Sequence, residues 1–321
     1  MPDTSAADAT SPSQDRMLAV MTVFRPGAEA ARNAFSIAQQ VDELVVVDDG
    51  SGPESSATLA DIVASGANVI RLTENSGIAA ATNAGIAQVE PRGGDLVVFF
   101  DQDSAVPPGF VSALRGAIAT AGRRGVPVGG AAPEHFAGVR QGRTDRNGLL
   151  RVDMPIQSGL MVTADTLARV GGMRDELFID LVDDDFALRV ADAGRVIVGA
   201  ADIRLPHQLG QQVAVPFFGR PLGMRGRPLA FTVSAPFRYY YRARNRVLVS
   251  RAHRRRHRMR LAVDTLVEAR HYAIVLAAVK QRGALLALLR AGRRDGRRGV
   301  GGRIPAALQH AAGGIDWRFP L

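Results

Sequence analysis

The chain has 321 residues, 46% of them hydrophobic, and a mean hydropathy near zero. That is enough for a globular protein with one large domain or two small ones. It contains no cysteine, which excludes a disulfide framework, a Cys-based zinc site and a thiol nucleophile. The formal net charge is +9, and Lys280 is the single Lys among the basic residues; such an excess draws anions such as nucleotides, nucleic acid or a membrane surface.

Residues 1–16 are polar, rich in Ala, Ser, Asp and Pro, and lack the basic start and apolar centre of a secretory leader. They read as a disordered tail. No stretch reaches the uninterrupted apolar length of a spanning helix, so the expected location is the cytoplasm. Met17–Phe24 is an apolar run of strand length, and 28–40 reads as a helix. Glu43–Val47 is a second apolar run that ends in Asp48-Asp49-Gly50-Ser51. A helix to Ser65, a short strand at 68–72, a helix over Ile78–Val89 and a strand over Leu96–Phe100 follow. Strand and helix alternate with short links, which argues for an α/β protein with a mostly parallel sheet covered on both faces.

Beyond Asp103 the expected elements are a helix over Phe110–Ala121 and a strand entered through the Gly-rich 123–130. A polar, turn-rich stretch at 134–153 reads as an excursion over the site, and 156–163 as a strand. Asp165–Val170 opens a short helix, Asp183–Asp192 is helical with Gly194 as its stop, and Val196–Ala200 is a strand. From about Phe237 the composition shifts, with ten Arg, two His and no acid between Arg238 and Arg260. Residues 261–289 then read as helix broken near Gly283, and 291–303 as a flexible Gly/Arg-rich stretch. The expected division is a tail at 1–16, a catalytic domain at 17–236 and a basic, mainly helical region at 237–321.

Asp101-Gln102-Asp103 carries the most chemical information. The two carboxylates follow a buried strand, at the sheet edge where open α/β folds bind ligands. Two acids so spaced can reach one hard cation such as Mg²⁺ or Mn²⁺, shared with phosphates, although a solvated strand end explains a single such Asp. Thr22-Val23-Phe24-Arg25 and Asp48-Asp49 end two other strands and face the same crevice. A carboxylate there can accept from a base imide N–H, and Phe24 can stack on the base. Asn75-Ser76-Gly77 precedes a helix that continues through Asn83, where free N–H groups favour an anion; an ordinary N-cap explains Asn75 as well. Asp180, Asp183, Asp184 and Asp185 crowd together, so one pKa must rise or a cation must be near, although acids in a first helical turn are also dipole partners. His207 sits in a loop where a neutral imidazole suits a site that lacks Cys. Tyr239-Tyr240-Tyr241-Arg242-Ala243-Arg244-Asn245 mixes aromatics with Arg, as surfaces that grip diphosphates, lipid head groups or nucleic acid do.

Taken in order, these segments resemble glycosyltransferase family 2, the inverting GT-A enzymes, and within it a bacterial rhamnosyltransferase-like branch. The resemblance runs through Thr22–Pro26, Val46–Ser51, Asn75–Gly85, Phe99–Ser104, Gln157-Ser158-Gly159, Leu177–Arg189, His207–Gly210 and Tyr240–Asn245. It implies a GT-A fold with a C-terminal helical extension. It also implies that Asp48 holds a pyrimidine base beside Thr22 and Phe24, with Arg25, Asn75, Gly77, Asn83 and Gln102 around the nucleotide sugar. Asp101 and Asp103 match the family's Asp-x-Asp and, with His207, would hold Mg²⁺ or Mn²⁺. Asp183 matches the catalytic base, and Arg244-Asn245 matches a pair near the donor diphosphate. Asp185-Phe186 replaces the Glu-Trp often found there, and Asp184 is an additional acid, so the choice of base among the three carboxylates stays open.

The implied activity is transfer of a sugar, with L-rhamnose from dTDP-L-rhamnose as first choice, to a cell-envelope glycan or polyprenyl-linked acceptor. UDP-galactofuranose and UDP-glucose are the alternative donors. Peripheral contact with the inner membrane face through 238–260 is expected, and a homo-oligomer is compatible with the Leu/Ala-rich 261–289. A phosphatase of the haloacid-dehalogenase type needs a Lys between its acidic motifs, and none is present. A nucleotidyltransferase needs a Gly-rich basic first loop, whereas 22–27 has one Arg. A nucleic-acid binder is disfavoured by the acidic crevice, and a catalytically silent binding protein is the remaining alternative.

Overall fold

A computed structural model describes residues 15–207, 210–217, 220–224 and 227–321. The expected tail therefore lies outside the described residues up to 14. Arg16 is not part of a tail, because its guanidinium pairs with Asp95 at 2.6 Å and its backbone N–H donates to the same carboxylate.

Ten strands form one sheet: β1 (Met17–Val23), β2 (Glu43–Asp48), β3 (Asn68–Arg71), β4 (Leu96–Asp101), β5 (Val128–Phe136), β6 (Val139–Arg140), β7 (Arg143–Thr144), β8 (Leu150–Arg151), β9 (Met161–Thr163) and β10 (Val196–Leu205). Their order is β3-β2-β1-β4-β9-β5-β10-β8-β7, with β6 paired to β5. The first four strands are parallel, β9 runs antiparallel between β4 and β5, and β10 is parallel to β5. The connecting helices are α1 (Ala28–Ala38), α2 (Ser56–Ala64), α3 (Ile78–Val89), α4 (Phe110–Arg123), α5 (Ala164–Val170) and α6 (Val182–Asp192).

The apolar runs in β1, β2 and β4 lack alternation because both sheet faces are covered. Met17, Ala19, Met21 and Val23 point into one core layer with Ala30 and Ile37 of α1, Leu59 of α2 and Leu114 of α4. Leu18 and Val20 point into the other, with Ala81 of α3 and Phe186 of α6. The stretch 134–153 departs from expectation: its first residues prolong β5, and β7 and β8 then extend the far sheet edge beside β10 instead of covering the crevice. Of 156–163, only the last three residues are strand.

Three further helices complete the chain: α7 (Arg238–Ala278), α8 (Arg282–Arg298) and α9 (Ala306–Gly313). α7 kinks at His257, where φ is −118° and ψ is 23°. Its Leu248, Val249 and Leu261 pack in the same core layer as Leu18 and Val20. The expectation of flexibility over 291–303 is wrong. α8 continues to Arg298 and buries Ala291, Gly292, Asp295 and Gly296. A Cβ on Gly292 would lie 2.3 Å from the Tyr240 carbonyl oxygen, and one on Gly296 2.6 Å from that of Arg244. Only glycine permits such backbone contact between α7 and α8.

Candidate active site

Parallel pairing aligns the ends of β1, β2 and β4. Val23 lies opposite Asp48, and Thr22 opposite Asp101. The chain winds from β1 outward to β3 and then returns to β4 on the other side of β1. The reversal leaves a crevice between β1 and β4, the usual ligand position in such sheets. Gln102 spans it: its Oε1 accepts from Phe24 N–H at 2.8 Å, and its backbone carbonyl accepts from the Asn33 amide at 2.9 Å. Thr22 is buried at the same edge, and the Phe24 ring is exposed with the Arg25 guanidinium 5.2 Å from its centroid.

Asp101, Asp103 and His207 meet at this edge, with one ligand atom from each within 4.8 Å of the others. Asp101 Oδ1 and His207 Nδ1 are both buried without a hydrogen-bond partner. His207 Nδ1 lies 3.3 Å from Asp103 Oδ1 without hydrogen-bond geometry. Orphaned buried polar atoms are costly unless something else satisfies them. Burial lowers the His207 pKa against the pull of Asp103, so the imidazole is held neutral, the form that coordinates. Burial, then the charge of Asp103, lifts Asp101 to about 7, with Arg238 opposing. Two carboxylates and an imidazole with unpartnered atoms fit a hard divalent ion.

The second group of acids arrives on an unusual loop. Phe178, Asp180 and Leu181 all have positive φ, at 64°, 67° and 60°. Ile179 N–H donates to the Leu177 carbonyl at 2.7 Å, closing a γ-turn on Phe178, whose ψ is −64°. Such residues persist only where neighbours over-determine them. Here the restraint comes from α7. Arg244 Nη2 donates to the carbonyls of Glu176 and Leu177, and Arg244 Nη1 to that of Gly302. The Asn245 amide reaches the carbonyls of Leu177, Ile179 and Asp180, each at 2.8 Å. Both side chains are fully buried, so the expected contact of Arg244 and Asn245 with the donor diphosphate is not what the structure offers; they brace the acidic loop from behind.

The loop delivers Asp183 at the start of α6. Burial raises its pKa, and the charges of Asp180 and Asp101 raise it further, while the Asp184 backbone N–H opposes at 3.0 Å. Asp183 and Asp101 thus lie near enough for the charge of one to act on the other. Asp184 is raised by burial and by Asp183, and Arg246 moderates it from 3.7 Å. Asp185 is different in kind. Burial opposes its ionisation, but His253 at 3.0 Å and Arg189 at 2.9 Å hold its pKa low. It anchors α6 to α7 and is not a site acid.

Four other expectations need revision. Both Asp48 oxygens are engaged, Oδ2 by Arg71 at 2.9 Å and Oδ1 by Ser51 N–H at 3.1 Å, and the residue has no exposure. A base would meet the Arg71–Asp48 pair, not a free carboxylate. Asn83 spends its amide on Met173 and Asp175, which fastens the loop before α6. Gly77 has φ +90°, and a Cβ there would strike the Phe178 ring at 2.6 Å. The start of α3 is already occupied, since Asp49 accepts from Ser76 and Gly77 N–H and the Phe178 carbonyl accepts from Ala79 N–H. Asn75 Oδ1, by contrast, is buried without a partner and remains available.

Arg238 is the functional candidate that sequence reasoning missed. It pairs with Asp180 at 2.7 Å, and its charge also acts on Asp101, Asp183 and His207. In the sequence it is one of ten arginines in an unbroken basic run, and nothing local separates it from the others. Beside Asp180 and Asp184 opens a cavity of about 620 Å³, lined also by Arg242, Arg246, Phe231 and His271. It lies on the side of the acids where α7 doubles past the loop.

Residues 19–151 match the family described as glycosyl transferase family 2. The chain is 29% identical over 225 residues to the dTDP-rhamnosyl transferase RfbF of Shigella flexneri, a match that covers 65% of this chain and 70% of that one. Among solved structures, GalNAc-T7 with UDP, GalNAc and Mn²⁺ is similar with a TM-score of 0.50 at 13% identity, over 61% of this chain and 44% of that chain. The match thus spans less than half of GalNAc-T7, and the likeness is one of fold. The glucosyl-3-phosphoglycerate synthase from Mycobacterium tuberculosis, in complex with Mg²⁺ and UDP, is 22% identical over 60% of this chain and 72% of that one, with a TM-score of 0.42.

Proposed function

We propose that this chain is a family 2 glycosyltransferase, a metal-dependent, inverting rhamnosyltransferase that uses dTDP-L-rhamnose. The acceptor is a hydroxyl of a cell-envelope glycan or a polyprenyl-linked saccharide, met at the cytoplasmic side of the membrane. The observation that carries the reading is the cluster of Asp101, Asp103 and His207, whose ligand atoms lie within 4.8 Å of one another, with the charge of Asp101 acting on Asp183. The similarity to the Shigella flexneri dTDP-rhamnosyl transferase supports the choice of donor.

In this reading Asp101, Asp103 and His207 would hold Mg²⁺ or Mn²⁺. A divalent ion neutralises charge that develops on the leaving diphosphate as the C–O bond breaks. Asp183 takes the proton of the acceptor hydroxyl, whose oxygen bonds to the anomeric carbon as dTDP leaves on the opposite face. Arg238 sits among these acids, and its positive charge opposes theirs. Phe24, Thr22, Arg25, Gln102 and Asn75 border the nucleotide end of the crevice. The cavity beside Asp184 is the acceptor side.

The decisive experiment is thermal stabilisation by nucleotide sugars with Mn²⁺, with Mg²⁺ or with chelator. The expected result is a raised Tm with dTDP-rhamnose and metal, a smaller shift with UDP-glucose and UDP-galactofuranose, and none with chelator. A preference for a UDP-sugar would replace the donor while leaving the family reaction in place. No shift with any nucleotide sugar would refute the transferase reading.

A further inference from the structure

The outer face of α7 beyond its kink is unlike the rest of the surface. Met259, Val263, Leu266 and Val267 are 72%, 56%, 72% and 53% exposed. Their spacing of four, three and one places them on one side of the helix, and exposed Ala262 and Ala273 continue the same side. Four large apolar side chains left to water along about two and a half turns mark a contact surface rather than scattered exposure.

The flank of this stripe is cationic. Residues 251–260 contain six Arg and no acid. Arg254, Arg255 and Arg258 are exposed and form no ion pair among the described residues. The two acids of the following stretch, Asp264 and Glu268, turn inward to Arg246, Arg242 and Arg260. Among the described residues the outer face of this stretch therefore presents apolar and positive groups without an outward acid.

We propose that this face of α7 docks the enzyme on an anionic lipid bilayer, with Met259, Val263 and Leu266 in the interface and Arg254, Arg255 and Arg258 on the head groups. An apolar strip bordered by Arg is the pattern of a helix lying in a membrane surface, and each Arg gains from the negative leaflet potential. Charge decides against a second copy as the occupant. A symmetric pair would meet arginine with arginine, or with Arg270, Lys280 and Arg282 at the other end, and no exposed acid of the face could compensate. The site differs from the contact expected over 238–260. Tyr239, Tyr240, Tyr241, Arg244, Asn245 and Leu248 of that span are buried, so only its last part reaches a surface.

Position gives the docking a purpose. Val267 belongs to the stripe and also lines the cavity that reaches Asp184, as do Arg260 and Arg270. A bilayer held against this face brings lipid-linked groups to the rim of the acceptor cavity. This proposal goes beyond the transferase reading and stands without it.

The test is cosedimentation of the full chain with vesicles of phosphatidylcholine alone or with added phosphatidylglycerol. The wild type should pellet with the anionic vesicles at low salt and be released by high salt. Combined Arg254→Gln, Arg255→Gln and Arg258→Gln should weaken partitioning by about a hundredfold. Combined Met259→Ser, Val263→Ser and Leu266→Ser should weaken it by about tenfold or more. Donor-induced thermal stabilisation of the same samples reports the transferase reading separately and should be unchanged in both variants. Equal pelleting of wild type and both variants would overturn the proposal. So would failure of the wild type to bind anionic vesicles, a dimer that the Ser substitutions dissolve in place of vesicle binding, or retention by RNA without retention by lipid.

Discussion

Burial and nearby carboxylates lift Asp183 to about 6, close to the range where a general base both accepts and holds a proton efficiently. Transfer should therefore fall as pH drops through about 6, visible as the acidic limb of kcat/KM against pH. Asp183→Asn should lower transfer by about 10²–10⁴-fold and leave donor binding intact. If that variant keeps its activity, Asp184 is the base. The same shift has an opposite consequence for stability. The native state holds this proton more tightly than the unfolded chain, so the group's contribution is greatest below its unfolded pKa and declines as pH rises from about 4 to about 6. Asp185 runs the other way. Its pKa is held low by His253 and Arg189, so its contribution is present at neutral pH and lost as pH falls through the folded value. Two carboxylates two positions apart on one helix thus divide into a site acid and an anchor, and burial alone does not separate them. The difference is whether a cation from another element reaches the oxygen.

At the scale of elements, the loop Phe178–Leu181 and the helix α7 form one device. Residues held at unfavourable φ and ψ cost about 1–3 kcal/mol each, and Arg244 and Asn245 offset this with hydrogen bonds to the carbonyls of 176–180. Asn245→Ala should destabilise the protein by about 2–3 kcal/mol, since it leaves buried carbonyls unpaired. Its kcat should fall more than its donor affinity. Calorimetry and donor titration distinguish this from a diphosphate contact, which would weaken donor affinity at unchanged Tm. The element pattern also shows what could be read in advance. β1, β2, β4 and α3 were legible to within a residue or so, because a strand buried on both faces must be apolar throughout and a helix between turn signals carries its own limits. The excursion at 134–153 was not, because short polar strands such as β7 and β8 take their place from the partner edge and have no pattern of their own.

For the whole molecule, the α7–α8 contact matters most. α8 rests on α7 through Gly292 and Gly296, directly behind the residues that brace the acidic loop. Gly292→Val should force the helices apart, with a lowered Tm and a loss of transfer far from any substrate. An unchanged Tm would mean that α8 can shift without strain. The expectation of a flexible 291–303 failed for this reason. Glycine and arginine in series look disordered until a second helix uses the glycines for close approach and leaves the arginines to solvent.

The fold class, the resemblance to family 2 and the pairing of Asp101 with Asp103 as candidate metal ligands follow from local order along the chain, since a buried run followed at once by acids carries its meaning within a few residues. The bracing role of Arg244 and Asn245, the place of Arg238 among the acids and the division between Asp183 and Asp185 needed the folded chain. Each depends on a contact between residues some 58 to 68 positions apart, and a side chain's charge state and accessibility are set by what folding brings against it.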